Sequence, residues 1–317
     1  MALYLSEQDV EALVSMPLAL EAVEHAHRSH GLGRAIDLPR NRTRTPRSTL
    51  HVLQGALEDD GVLGYKAYTT SKTGSRFFLH LFDCADGRPL AVIAADALGR
   101  MRTGAAGGVA AKWLSRPDAA QAAVFGAGWQ AASQIEALCA VRPIERVRVY
   151  ARSTEALVAF CAEMSRRLAR EVVPAPGPRE ALEGADIVVT ITTSAQPVFD
   201  GSWLEAGTHV TAAGSNSLIR REIDERAVGR ANLVCVDSRA SALRESGDLL
   251  PLLEKGRLHE GQMVELGEII AGVRAGRRTP DEITLFESHG MAIQDLALGV
   301  RLLHSARERG IGTSLPF

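Results

Sequence analysis

Two sets of residues in this 317-residue chain have the types and spacing to do chemistry. The first is Gly126-Ala127-Gly128-Trp129-Gln130-Ala131, entered from the short apolar run Ala122–Phe125 and followed by an Ala/Leu-rich stretch. This is a G-x-G-x-x-A fingerprint in strand–turn–helix context. Gly126 permits the tight turn, Gly128 removes a Cβ from the path of a pyrophosphate, and Ala131 is small enough for helix to pack on strand. The amide groups that open the helix complement phosphate charge. A dinucleotide is the ligand this pattern predicts.

The next strand, Val147-Arg148-Val149-Tyr150, ends in Ala151-Arg152-Ser153 rather than in a carboxylate. An acidic residue there would hold the ribose hydroxyls of NAD and repel a 2′-phosphate. A guanidinium beside a hydroxyl binds that phosphate instead. The expected cofactor is therefore NADP(H), with NAD(H) still possible. The plainer alternative is that Arg152 is solvated and Ser153 caps the following helix.

The second set is basic. Arg40, Arg42 and Arg44 alternate within Pro39–Pro46, so in a strand they share one face, either as a wet edge or as an anion receptor. Lys66 interrupts the apolar run Gly64–Tyr68 and needs a partner anion or a path to solvent. Arg102 precedes a Gly/Ala-rich helix predicted over Arg102–Ser115, and a guanidinium at a helix N-terminus receives a carboxylate well. Together the three predict a pocket for a carboxylate substrate. Cys84, Cys139, Cys161 and Cys235 are scattered without zinc spacing, so no metal is expected and the thiols are read as reduced.

These groups need elements to position them. From Gln121 onward, strand-like runs at Ala122–Phe125, Arg146–Tyr150, Asp186–Thr192, Thr208–Ala213, Asn232–Asp237 and Ile283–Phe286 alternate with helical stretches such as Ala131–Val141 and Thr154–Ala169. That is the signature of an α/β, Rossmann-type, doubly wound parallel sheet, with Pro174–Pro178 a rigid turn inside it. The first 116 residues read as α+β: a helix over Ser6–His30, then extended segments at Arg40–Val52, Val62–Tyr68 and Phe77–Phe82 with antiparallel pairing. A last helix, Ala292–Arg309, is expected to return to this first domain. The expected division is 1–116 with 293–317 for substrate binding and dimerisation, and 117–292 for the dinucleotide. Hydrophobic content of 46%, charged content of 23% and a net charge of −2 give no electrostatic reason to expect nucleic acid or an anionic membrane. No signal peptide or membrane-spanning run is seen, so a cytoplasmic location is expected.

The chain resembles the ornithine cyclodeaminase/mu-crystallin family over nearly its whole length. The resemblance rests on Gly64-Tyr65-Lys66, Ala94–Leu98, Arg102-Thr103-Gly104-Ala105-Ala106, Gly126–Ala131, Ala213–Asn216, Glu245–Asp248 and Phe286–Gly290. It implies a homodimer built through the N-terminal domain and an active site in the interdomain cleft. Arg40, Lys66 and Arg102 would grip the α-carboxylate of a small imino or amino acid, with Arg42 fitting the spacing to Lys66 comparably to Arg40. Thr103, Gly126, Gly128, Trp129, Gln130, Arg152, Ser153, Thr192 and Ser288 would fall along the cofactor. His289 would lie near the nicotinamide end as a substrate contact or as a structural hydrogen-bonder.

One departure matters. In deaminating members the loop at Gly214-Ser215-Asn216 ends in aspartate, whereas this chain has Asn216, whose amide orients a substrate nitrogen but does not exchange a proton near neutral pH. The expected activity is therefore hydride transfer to a carboxylate-anchored C=N, with Lys66 or water delivering the proton and Asn216 orienting the nitrogen. The rivals are ornithine cyclodeaminase, which uses NAD catalytically, and a cofactor-binding protein without turnover.

Overall fold

The computed structural model describes residues 1–316. The chain divides into two compact units, one of Met1–Arg102 with the segment from Gly290 to the C-terminus, the other of Thr103–His289.

The first unit opens with β1 (Leu3–Leu5), α1 (Glu7–Leu13) and α2 (Met16–Gly31). Ser6 caps α1 through a reciprocal pair with Asp9. The single helix expected over Ser6–His30 is instead two. Val14 turns extended, Ser15 starts a new helix, and Pro17 sits in its first turn, where a missing N–H costs nothing. Then come β2 (Ala35–Arg44), β3 (Ser48–Leu57), β4 (Val62–Ser71), β5 (Gly74–Asp83), β6 (Pro89–Ala94) and α3 (Asp96–Leu114). The extended segment expected over Arg40–Val52 is thus a hairpin that turns at Thr45–Arg47. The helix expected to begin at Arg102 begins six residues earlier. Its opening amides, on Asp96 and Ala97, donate to the Glu7 carboxylate brought in from α1.

The second unit starts with β7 (Gln121–Phe125), α4 (Trp129–Val141), β8 (Arg146–Tyr150), α5 (Thr154–Leu168), β9 (Glu171–Pro174) and α6 (Pro178–Leu182). It continues through β10 (Ile187–Thr190), β11 (His209–Ala212), α7 (Glu225–Arg230), β12 (Leu233–Val236), α8 (Arg239–Glu245) and α9 (Leu250–Glu254). It closes with β13 (Met263–Glu265), α10 (Leu266–Ile270) and β14 (Thr284–Glu287). Its eight strands run parallel in the order β13-β12-β14-β11-β10-β7-β8-β9. Successive strand residues alternate between two cores: Val124, Val149 and Val189 on one face, Phe125, Val188 and Val210 on the other. A sheet covered on both faces by helices is what parallel strands require. The strand order reverses between β7 and β10, the switch point at which open α/β sheets bind ligands.

The chain then returns to the first unit with α11 (Ala292–Arg309) and β15 (Thr313–Ser314). The seven-stranded sheet there has the order β15-β1-β6-β5-β4-β3-β2, antiparallel except for β1 beside β6. Helix α11 lies on its inner face. Gly64 lets it come close, because a Cβ there would meet the His80 carbonyl and the Leu296 side chain. The outer face leaves Ile36, Leu38, Leu50, Leu63 and Phe78 exposed by 38–53%. Among the described residues no helix is long and apolar enough to cross a membrane.

Candidate active site

On β4, Lys66 stands in register with Leu53 of β3 and Leu79 of β5, so its side chain points into the core beneath α11. It is 2% exposed. Asp295, fully buried on α11, meets its Nζ at 2.6 Å. Arg102, from α3, donates Nε to the other oxygen of Asp295 at 3.0 Å and Nη1 to Gln294 Oε1 at 3.0 Å. Gln294 in turn hydrogen-bonds buried His27. Gly290, at φ +83°, makes room: a Cβ there would stand 2.7 Å from Arg102 Nη1.

The expected placement of Arg102 at a helix N-terminus is corrected here. It is the seventh residue of α3, so the helix dipole does not assist it and its anion affinity comes from the guanidinium alone. One buried carboxylate thus serves two buried cations, and the charge of Arg40, itself buried, also acts on Lys66. Desolvation, then the Arg102 charge, pull the Lys66 ammonium down to about 7 against the opposing pull of Asp295. Within this trio positive charge exceeds negative, and no hydrogen bond engages Arg102 Nη2 among the described residues. A cluster with this excess of positive charge has the chemistry to accept a further carboxylate.

A pH dependence follows from the sign of that shift. Lys66 is half protonated near pH 7 and loses its charge as pH rises, so affinity for a simple monocarboxylate such as propionate falls above pH 7. Lys66→Arg should flatten the profile. Calorimetric titration between pH 6 and 10 measures this, and an affinity constant to pH 10 in the parent protein would contradict it.

In the second unit, Gly126 has φ +117°, and a Cβ on it would lie 2.6 Å from the Ile191 carbonyl oxygen. Only glycine takes this turn without strain. Nothing lies within 4 Å of a Cβ position on Gly128. The two glycines, with Tyr150, Arg152, Ser153, Thr192 and Ser194, line a cavity of about 390 Å³ at the C-terminal ends of β7, β8 and β10. This cavity lies at the switch point, where open α/β sheets take their ligands. Ser153 precedes α5 but makes no side-chain cap hydrogen bond, so its hydroxyl is not spent on the helix. Arg152 is exposed at the rim.

Of the other expected cofactor residues, Trp129 is 48% exposed at the start of α4. Gln130 follows it, with Oε1 buried and unmatched by any hydrogen bond among the described residues. The Thr103 carbonyl accepts from Gln134. Ser288 is buried beyond β14, its amide bonded to Ala212.

Asn216 sits exposed on the loop after β11. The imidazole of His289 has no exposed surface: Nδ1 is 3.5 Å from Asp237 and Nε2 3.6 Å from Glu287. Burial lifts the Glu287 carboxyl well above the usual range, with Asp248 adding to the rise.

Sequence reasoning missed three buried groups. Asp295 and Gln294 lie on a helix read only as packing, although two polar residues on its apolar stripe were a signal. Glu222 was not singled out. Its carboxylate accepts from the Thr192 hydroxyl at 2.7 Å, the Thr190 hydroxyl at 3.1 Å and the amides of Thr192 and Gly214, joining the loops after β10 and β11. Burial still pushes it up to about 7.

A profile of the ornithine cyclodeaminase/mu-crystallin family matches residues 2–309. A Delta(1)-pyrroline-2-carboxylate reductase of Bacillus cereus is 38% identical over 238 residues, 75% of this chain and 73% of that protein. The structure of the Thermococcus litoralis Delta(1)-pyrroline-2-carboxylate reductase with NADH and L-proline superposes with a TM-score of 0.93 at 36% identity, covering 99% of this chain and 100% of that one. An archaeal alanine dehydrogenase dimer with bound NAD gives 0.93 at 32% identity, covering 100% and 99%.

Proposed function

Because the chain belongs to the ornithine cyclodeaminase/mu-crystallin family, we propose that it is an NAD(P)H-dependent reductase of α-imino acids. The observation that carries this reading is the buried Lys66–Asp295–Arg102 trio with its excess of positive charge. We assign carboxylate binding and dimerisation to the first unit and the dinucleotide to the second.

Lys66 and Arg102, with Arg40 beside them, hold the substrate's α-carboxylate. Asp295 fixes both cations without neutralising them together. Gly126, Gly128 and the opening amides of α4 hold the pyrophosphate, while Thr192 and Gln130 lie along the bound cofactor. When bound, the nicotinamide supplies a hydride, so that imine, NAD(P)H and a proton give amine and NAD(P)⁺. Lys66, poised near pH 7, or water gives that proton to the substrate nitrogen. We assign to Asn216 the orienting of the nitrogen by hydrogen bonding, and to His289 a substrate contact or a structural hydrogen bond. Most of the rate advantage comes from orientation.

The cofactor is NADP(H) in preference to NAD(H), supported by Arg152 and the uncommitted Ser153 hydroxyl. Arg152→Ala should weaken NADPH by about tenfold while leaving NADH within twofold, as for loss of one charge-assisted contact to phosphate. Fluorescence titration of both cofactors checks this, and equal losses would place 2′-phosphate recognition elsewhere. The enzyme works as a homodimer through the exposed outer face of the first unit's sheet, and in the cytoplasm, in keeping with four cysteines outside any disulfide.

The deciding experiment follows cofactor oxidation with cyclic imines and with 2-oxo acids plus ammonia or methylamine, beside ornithine with NAD. One cofactor consumed per amino acid formed is expected. Proline and ammonia from ornithine without net cofactor change would make it a cyclodeaminase instead. Tight cofactor binding without turnover on any substrate would make it a binding protein.

A further inference from the structure

The imino acid reading leaves the substrate's side chain unassigned. We propose that this side chain ends in a second acidic group, held beyond the α-carboxylate anchor by Arg42 and Arg44 with the Tyr68 hydroxyl.

The placement comes from strand register. Lys66 belongs to the cross-strand row Leu53–Lys66–Leu79 on the inner face of the sheet. Two residues further along each strand, on the same face, runs the row Arg42–His51–Tyr68–Phe77. The next is Arg44–Thr49–Thr70–Ser75. Each row is about 7 Å from the one before. Lys66 is buried, whereas Arg42, His51, Tyr68 and Phe77 are half-buried and Arg44 is exposed. The surface therefore opens steadily away from the anchor, in the direction a side chain must extend.

That surface is stiff and positive. His51 stacks on Tyr68 with centroids 4.3 Å apart and planes 2° from parallel, and Tyr68 stacks on Phe77 at 4.9 Å. His51 also hydrogen-bonds Thr70 at 3.1 Å. The stacked rings stand side by side along the row that Arg42 heads. The charge is segregated by sequence. Leu38–Leu57 and Val62–Phe82 contain seven arginines and lysines and no aspartate or glutamate, and the acids of the flanking strand ends, Asp37 opposite Gly55 and Asp83 opposite Val62, lie on the other side of the Lys66 row. The acids of this hairpin, Glu58, Asp59 and Asp60, occupy the turn at the opposite end of the strands, where Asp59 and Asp60 pair with Arg34, His25 and Arg301. In support, burial and then the charges of Arg42, Arg40 and Arg44 hold His51 down to about 4, so the field of all three arginines reaches this row. A neutral aliphatic side chain would use none of this. A carboxylate two or three carbons from the first would be steered to it and paired.

The test compares oxaloacetate and 2-oxoglutarate with pyruvate and 2-oxobutyrate, each with ammonia, in the parent protein and in Arg42→Gln and Arg44→Gln. Calorimetric binding of succinate against propionate runs alongside, with no turnover needed. We expect kcat/KM and affinity to favour the diacids about tenfold. Arg42→Gln should lose about tenfold on diacids only, the size of one charge-assisted hydrogen bond, and exposed Arg44→Gln about threefold. Equal losses on both classes would make Arg42 part of the α-carboxylate anchor and overturn the proposal, as would preference for monoacids. Were no imine reduced, the reductase reading would fall, and the succinate–propionate comparison would still decide the subsite.

Discussion

Asp295→Ala should be the most destabilising single substitution in the first unit. It removes the one carboxylate shared by Lys66 and Arg102, which are 2% and 8% exposed, leaving the buried Arg102 charge uncompensated and driving the Lys66 ammonium toward its neutral form. Removing one partner of a buried ion pair costs about 3–5 kcal/mol. For a unit of this size that lowers the unfolding midpoint on the order of 10 °C. The double variant Lys66→Met/Asp295→Leu should recover only the part of the loss that belongs to the Lys66 pair, because an apolar pair of similar volume is often neutral while Arg102 still lacks its carboxylate. The non-additivity separates charge burial from lost packing. Thermal unfolding with and without a small carboxylate makes the measurement, and the carboxylate should stabilise the parent more than the double variant. A single variant within 1 kcal/mol of the parent would mean that the cations are neutralised by something other than Asp295.

Much of the second unit was legible because its signals are local. A strand, a Gly126 turn and a helix are consecutive in the chain, and each β-branched run is bounded by turn residues, so periodicity alone orders the elements. Ser153 shows the limit: residue type favoured a cap, yet whether its hydroxyl is used depends on a conformation that the sequence does not state. The first unit hid its decisive features in long-range contacts. The start of α3 lacks a local cap, because Glu7 reaches it from α1. Arg102 was therefore put at a helix end that does not exist. Lys66 was recognisable as a lysine that needed a partner, but the partner is in the last helix, supplied by the chain's return to the unit it began.

The charge pattern of the sheet was half visible. Alternation predicted that Arg40, Arg42 and Arg44 share a face. The register sets Arg42 opposite His51 and Arg44 opposite Thr49, whereas Arg40 falls within the shift between Leu38 and Asn41 and is buried. A bulge is a property of two strands together, so one strand's sequence does not announce which arginine meets the anchor.

Arg102→Ala should lower kcat/KM for any imino acid substrate by about 2–4 kcal/mol, or roughly 30- to 1,000-fold, the range for truncating a buried, hydrogen-bonded charge. The loss should sit mainly in KM if the guanidinium only anchors the carboxylate. It should extend into kcat if anchoring also fixes the C=N for hydride transfer, since misplacement of the reacting carbon is costly. Arg102→Lys keeps the charge but gives up the forked geometry that serves Asp295 and Gln294 at once, so it should recover only part of the loss. Cofactor affinity is the internal control: Arg102 belongs to the first unit, and NADPH titration of the variant should match the parent. Steady-state kinetics with unchanged kcat/KM would remove Arg102 from the site. An intact KM for imine with weakened NADPH would reassign it to the cofactor.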